Sequence, residues 1–111
     1  MNAEEIKNVA LNALEDLKAK DVVTLDVRGL TGVTDFMVVC TGTSNRHVKS
    51  LTNNVSVELK KQGFKPQGIE GGQVADWMLV DAGDVVVHVM LPEARDFYDL
   101  ERLWSVPVDG E

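Results

Sequence analysis

DWMLVDAGDVVVHVMLPE, residues 76–93, decides how the rest of the chain is read. Two apolar runs, Trp77-Met78-Leu79-Val80 and Val85-Val86-Val87-His88-Val89-Met90-Leu91, flank Asp81-Ala82-Gly83-Asp84. β-Branched and aromatic runs around an Asp/Gly cluster predict a β-hairpin. Gly83 can take the positive φ that such a turn demands, where a Cβ would be strained. Pro92 has no N–H to give a ladder and stops the second strand. Side chains alternate along a strand, so Val85, Val87, Val89 and Leu91 form an aliphatic row suited to a core. Asp84, Val86, His88 and Met90 form the mixed row, and Val86, His88 and Met90 share a surface with Trp77, Leu79 and Asp81. The expectation is a surface that is partly apolar and partly acidic, and a docking surface if no helix covers it.

Working outward, residues 64–75 contain Pro66 and three glycines and read as a loop. Before them Val48, Leu51, Val55 and Leu59 recur at helical spacing. Thr43 or Ser44 can cap that helix, and Gly63 is placed to end it. Phe36 to Thr41 is a nearly continuous apolar strand, the pattern of one covered on at least one face. Residues 28–35 read as a loop, Asp21 to Val27 as a strand, and Ala3 to Lys20 as a helix. Its stripe is Ile6, Val9, Ala10, Ala13, Leu14 and Leu17. Beyond the hairpin, Pro92 to Trp104 reads as a last helix with Pro at its start and Phe97, Leu100 and Trp104 along one line. The order is αββαββα. It predicts a single α/β domain over residues 1–105, with a flexible tail at 106–111. The sheet is expected to be mixed and four-stranded, with helices mainly on one face and the Trp77/Leu79 row on the other.

The 111 residues suit one domain with its own core. An apolar content of 44% and a charged content of 26% fit an ordinary globular chain. Eighteen acidic against 11 basic residues leave a net charge of −7. That balance works against gripping phosphates, so little direct nucleic-acid contact is expected, and it suits a basic protein partner. No apolar run approaches the roughly 20 residues of a membrane helix, and the acidic start lacks the features of a signal peptide. A cytoplasmic protein without membrane contact is the expectation. Cys40, the only cysteine, excludes an internal disulfide and reads as a small buried residue.

Catalytic parts are few. His47 and His88 lie in separate elements, and no Ser/His/Asp order, metal-binding histidine pair or P-loop occurs. Gly42-Thr43-Ser44, between a strand and a helix, could cradle a phosphate, and nucleotidyltransferases place a Gly-Ser turn there. They also need paired carboxylates for Mg²⁺. Asn45-Arg46-His47-Val48 supplies none, and helix capping accounts for Ser44. No cofactor or metal is expected.

Asp35-Phe36, Gly42-Thr43-Ser44-Asn45-Arg46, Glu70-Gly71, Trp77 to Asp81, Gly83 to Val89 and Tyr98 to Trp104 together resemble the ribosomal silencing factor (RsfS, Iojap-like) family. The motifs run in order over nearly the whole chain. Phe36 stands where a Tyr-Phe pair would be commoner. The resemblance implies a nucleotidyltransferase-like fold without catalysis. It also implies binding to ribosomal protein fourteen of the large subunit, which blocks joining of the small subunit and lowers translation when nutrients are short. A nucleotide-binding, nucleotidyltransferase-like enzyme is the alternative.

On the docking reading Trp77 and Leu79 are apolar anchors, Val86, His88 and Met90 complete the surface, and Asp81 and Glu70 pair with cations of the partner. Each has a plainer role: Trp77 under a helix, Asp81 shaping the turn, Glu70 solubilising a loop, His88 bonding a neighbouring strand. Arg46 and Asp35 are expected to form a buried pair near the Gly42 turn. The Phe97/Tyr98/Leu100/Leu103/Trp104 cluster would seed a homodimer off the ribosome or be covered by the tail.

Overall fold

The structure, a computed structural model, describes residues 1–71 and 76–98. Its elements are α1 (Ala3–Asp16), β1 (Lys20–Asp26), β2 (Phe36–Thr41), α2 (Asn45–Lys61), β3 (Gly68–Gly71), β4 (Trp77–Asp81), β5 (Val85–Met90) and α3 (Pro92–Tyr98). Leu100, Leu103, Trp104 and the tail at 106–111 lie outside the described residues.

The β4–β5 hairpin forms as its sequence dictates. Ala82 donates its N–H to the Val85 carbonyl at 2.9 Å, and Gly83 sits at φ 75°, where its missing Cβ is needed. The hairpin belongs to one mixed sheet of five strands in the order β1-β2-β5-β4-β3. β2 and β5 are parallel, and the other neighbours are antiparallel. The sheet therefore has one strand more than the four expected. The addition is β3, Gly68–Gly71, inside the segment that reads as a loop. Its two glycines carry no strand propensity. It exists because β4 offers a ladder, pairing Gly68 with Asp81 and Gly71 with Met78.

Phe36, Val38 and Cys40 of β2, Val80 of β4 and Val85, Val87 and Val89 of β5 form the core face. α1 supplies Ile6, Ala10, Ala13 and Leu14 to it, and α2 supplies Val48, Leu51, Val55 and Leu59. A fully buried Leu or Val is worth about 1.5–3 kcal/mol. Packing on that scale outweighs the poor helix propensity of Val48, Val55 and Val57.

Both helices end in the same hydrogen-bond pattern. In α2, Gly63 (φ 84°) donates to Lys60 and Phe64 to Leu59. In α1, Lys18 (φ 61°) donates to Glu15 and Ala19 to Leu14. This is the Schellman arrangement, usually signalled by Gly at C′. Lysine occupies that place in α1, so the helix stops at Asp16 rather than at Lys20. At the other end of α2, Ser44 Oγ accepts the His47 N–H at 3.1 Å and caps the helix. Gly42 has a steric reason: a Cβ there would lie 2.7 Å from Val48 Cγ2 and 3.0 Å from Val48 N.

The opposite sheet face departs from expectation. Val27, Met37, Val39 and Met90 form a second buried cluster with Ala94 of α3, and Leu25 and Trp77 pack against it. The centre of that face is closed. An apolar helical stripe shows that α3 packs but not on which side of the sheet, and that is why the coverage is illegible in sequence.

The expected Asp35–Arg46 pair does not form. Six-residue β2 stands between Asp35 and the Gly42 turn, a separation of roughly 20 Å at ~3.3 Å per residue. Asp35 is held by backbone bonds to Val27 and Asp84, and Arg46 is exposed. Arg28 pairs with Asp26 at 2.6 Å, and the hydrogen bonds it gives hold the Asp26 carboxyl down at about 2.

Candidate functional site

Register sets the candidate surface in rows across the sheet. Glu70 of β3, Leu79 of β4, His88 of β5 and Val39 of β2 stand in one row. Trp77 stands opposite Met90 in the next, and Asp81 opposite Val86 in the row on the other side. Two-residue alternation had put Trp77, Leu79, Asp81, Val86, His88 and Met90 on one side, and the strands place them there.

Their exposure is uneven. Trp77, Leu79, Asp81 and Val86 are half-buried and Glu70 is exposed. His88 is 7% exposed and Met90 is 0% exposed. Met90 therefore offers no surface, contrary to the expectation for it; its side chain supports Trp77 from within the closed cluster.

His88 bonds within the chain. The Trp77 indole Nε1–H donates to His88 Nδ1 at 3.0 Å. The ring centroids are 5.8 Å apart and tilted by 45°. Burial disfavours the charged imidazole and pushes its pKa down to about 4. At neutral pH the ring is uncharged. With Nδ1 accepting, its proton sits on Nε2.

Asp81 Oδ1 accepts the Gly83 N–H at 2.9 Å. Its carboxylate shapes the turn and leaves a second oxygen for other contacts. Glu70, on the edge strand, adds a second carboxylate beside Leu79. The surface thus has half-buried Trp77, Leu79 and Val86 between acidic groups, the mixture of apolar centre and polar rim that protein interfaces use.

The Gly42 turn does different work. His47 Nδ1 accepts the Thr43 N–H at 2.9 Å, and Nε2 lies 2.7 Å from the Leu17 carbonyl. His47 thereby ties the end of α1 to the start of α2, a role that its sequence position does not announce. Arg95 makes a comparable long-range tie, donating from Nη1 to the Asp21 carbonyl at 2.6 Å and to Thr41 Oγ1 at 2.8 Å. Cys40 is buried, and burial pushes its thiol up to about 12. Among the described residues no group of three or more His, Cys, Asp or Glu could hold a metal ion. No described helix is long and apolar enough to cross a membrane. Phe97 is 81% exposed; the cluster it was expected to share lies largely outside the described residues.

Fold and surface define a small α/β domain with a mixed sheet, two helices on one face, and a partly open apolar–acidic strip on the other. Residues 1–110 match the family model described as "Ribosomal silencing factor during starvation". The protein named ribosomal silencing factor RsfS from Chromobacterium violaceum is 54% identical over 105 residues, covering 95% of this chain and 86% of that one. A crystal structure of a protein from Chromobacterium violaceum superposes with a TM-score of 0.92 at 51% identity, covering 99% of this chain and 92% of that one. The mouse protein named "Mitochondrial assembly of ribosomal large subunit protein 1" is 33% identical over 102 residues, 89% of this chain and 45% of that protein. This chain belongs to the ribosomal silencing factor family.

Proposed function

We propose that this protein represses translation by docking its β3–β4–β5 strip on ribosomal protein fourteen of the large subunit, so that the small subunit cannot join. The observation that carries this reading is half-buried Trp77 with Leu79 and Val86, between Asp81 and Glu70 on neighbouring strands. A large aromatic in such a place is the usual energetic anchor of an interface. The acidic rim and the net charge of −7 fit a basic partner. The family's description, a ribosomal silencing factor during starvation, supports repression under nutrient limitation, and the mouse relative's name supports the large subunit as the partner. On this reading the protein acts in the cytoplasm, makes little direct contact with RNA, is not an enzyme, and forms any homodimer only off the ribosome.

The nucleotidyltransferase-like reading rests on the strand–Gly42–helix turn. No observation favours nucleotide chemistry there: Gly42 is accounted for by Val48, and Ser44 by the cap it makes.

The test is co-sedimentation with purified large subunits and with assembled ribosomes. The chain should pellet with the free subunits and not with the assembled particles. Trp77→Ala, with its fold checked by circular dichroism, should lose on the order of 2 kcal/mol of binding, about thirtyfold. Undiminished binding by that folded variant would remove this surface from the function.

A further inference from the structure

We infer that His88 is a positioning residue for Trp77: its Nδ1 takes the indole N–H and sets the ring in the attitude that docking uses. The inference rests on the docking reading of this surface.

The two side chains reach each other diagonally, since Trp77 is opposite Met90 and His88 is opposite Leu79. The Nε1–Nδ1 distance is 3.0 Å. His88 has β4 on one side and β2 on the other, with Leu79 and Val39 as its paired neighbours. At 7% exposure it has little room to move. Trp77 is different. It is the first residue of β4 and is half-buried, so its backbone alone does not fix a large indole. The bond joins this indole, which also packs on the closed cluster, to a clamped imidazole.

The choice of histidine supports this. Val85, Val86, Val87 and Val89, the other residues before Met90 in β5, are all valine. A buried imidazole costs desolvation that an aliphatic side chain would avoid. The imidazole supplies what valine lacks, an acceptor within reach of Trp77 Nε1. A side chain that must be immobilised on binding costs about 0.5–1.5 kcal/mol. An indole already held in place in the free protein avoids that cost, and its N–H enters the interface satisfied.

The experiment compares His88→Phe, which keeps a ring without Nδ1, His88→Leu as a second variant lacking the acceptor, and His88→Asn, whose Oδ1 reaches roughly the Nδ1 position. Thermal unfolding first establishes that each variant folds. In the free protein, solvent exchange of the ¹⁵N-labelled Trp77 indole N–H should be about fivefold faster in the Phe and Leu variants and near wild type in Asn. Binding to purified large subunits should weaken about five- to tenfold in Phe and Leu and recover in Asn. In a Trp77→Phe background, which has no indole N–H, His88→Phe should cause no further loss. The same loss in that background would make His88 a general structural residue and overturn the inference. So would wild-type binding by folded His88→Phe and His88→Leu when Trp77→Ala binds poorly. Wild-type binding by Trp77→Ala would instead bring down the docking reading itself, and the positioning role with it.

Discussion

His88 should make the fold acid-sensitive in a way one substitution can isolate. Folded His88 has a pKa of about 4 against an ordinary 6.5. In the unfolded chain the ring takes a proton once the pH falls below about 6.5. In the folded chain it stays neutral, because burial disfavours the charge and Nδ1 is engaged by Trp77. Between those two values the unfolded state binds more protons, so stability rises with pH. The contribution is fully present above 6.5 and is lost as the pH drops toward 4. At 1.36 kcal/mol per pH unit the whole window amounts to about 3 kcal/mol, a large part of the roughly 5–15 kcal/mol that holds a typical domain. The assay is urea unfolding at pH 7, 6, 5 and 4.5 for wild type and His88→Asn. The variant keeps an acceptor for Trp77 but cannot titrate. Carboxylates such as Asp26 contribute to both curves and cancel in the difference. The gap between the two proteins should shift by roughly 2–3 kcal/mol in favour of the variant as the pH falls. A constant gap would show that His88 is not buried neutral, and would refute the hydrogen-bond assignment with it.

Gly42→Ala should destabilise by about 1–3 kcal/mol, because the new Cβ would lie 2.7 Å from Val48 Cγ2 and 3.0 Å from backbone that cannot retreat; thermal unfolding reads this directly. Lys18→Gly should stabilise by roughly 0.5–1 kcal/mol, since Lys18 holds φ 61° at the end of α1, where glycine is unstrained; the unfolding midpoint in urea would rise with no change of slope. Asp81→Asn keeps an Oδ1 for the Gly83 N–H and removes only the charge, so with Glu70→Gln it should leave stability nearly unchanged and flatten the salt dependence of large-subunit binding. An unaltered salt slope in the double variant would deny these carboxylates an interface role.

The parts of the fold that were legible in sequence are those decided by neighbours along the chain. The β4–β5 turn, the Ser44 cap and the Gly63 end of α2 are local chemistry, and side-chain alternation placed Trp77 and His88 on one side. What was illegible depends on contacts between distant segments. β3 has two glycines among four residues and is a strand only because β4 pairs with it. Lys18 takes the conformation that glycine would have announced, so α1 looked longer than it is. The Trp77–His88 bond depends on rotamers, and alternation specifies a face but not a χ angle. The placement of α3 against the second face is set by packing around Ala94, whose small side chain carries no signal of its own.

The closed centre of that face divides its residues by the kind of damage their loss should cause. Met90 was expected at the surface, yet it is fully buried with Val27, Met37, Val39 and Ala94 beneath Trp77. Met90→Ala removes packing that no partner touches. It should lower stability by about 2–5 kcal/mol, as truncations of buried methionine do. At a temperature where the variant is still folded, its affinity for large subunits should stay within about threefold of wild type. Trp77→Ala should behave in the opposite sense, losing more in binding than in folding, because part of its side chain remains accessible to a partner. Stability and binding measured on the same two preparations separate these roles. If Met90→Ala were as weak a binder as Trp77→Ala while remaining folded at the assay temperature, the partner must reach the buried cluster, and the face would have to open before docking.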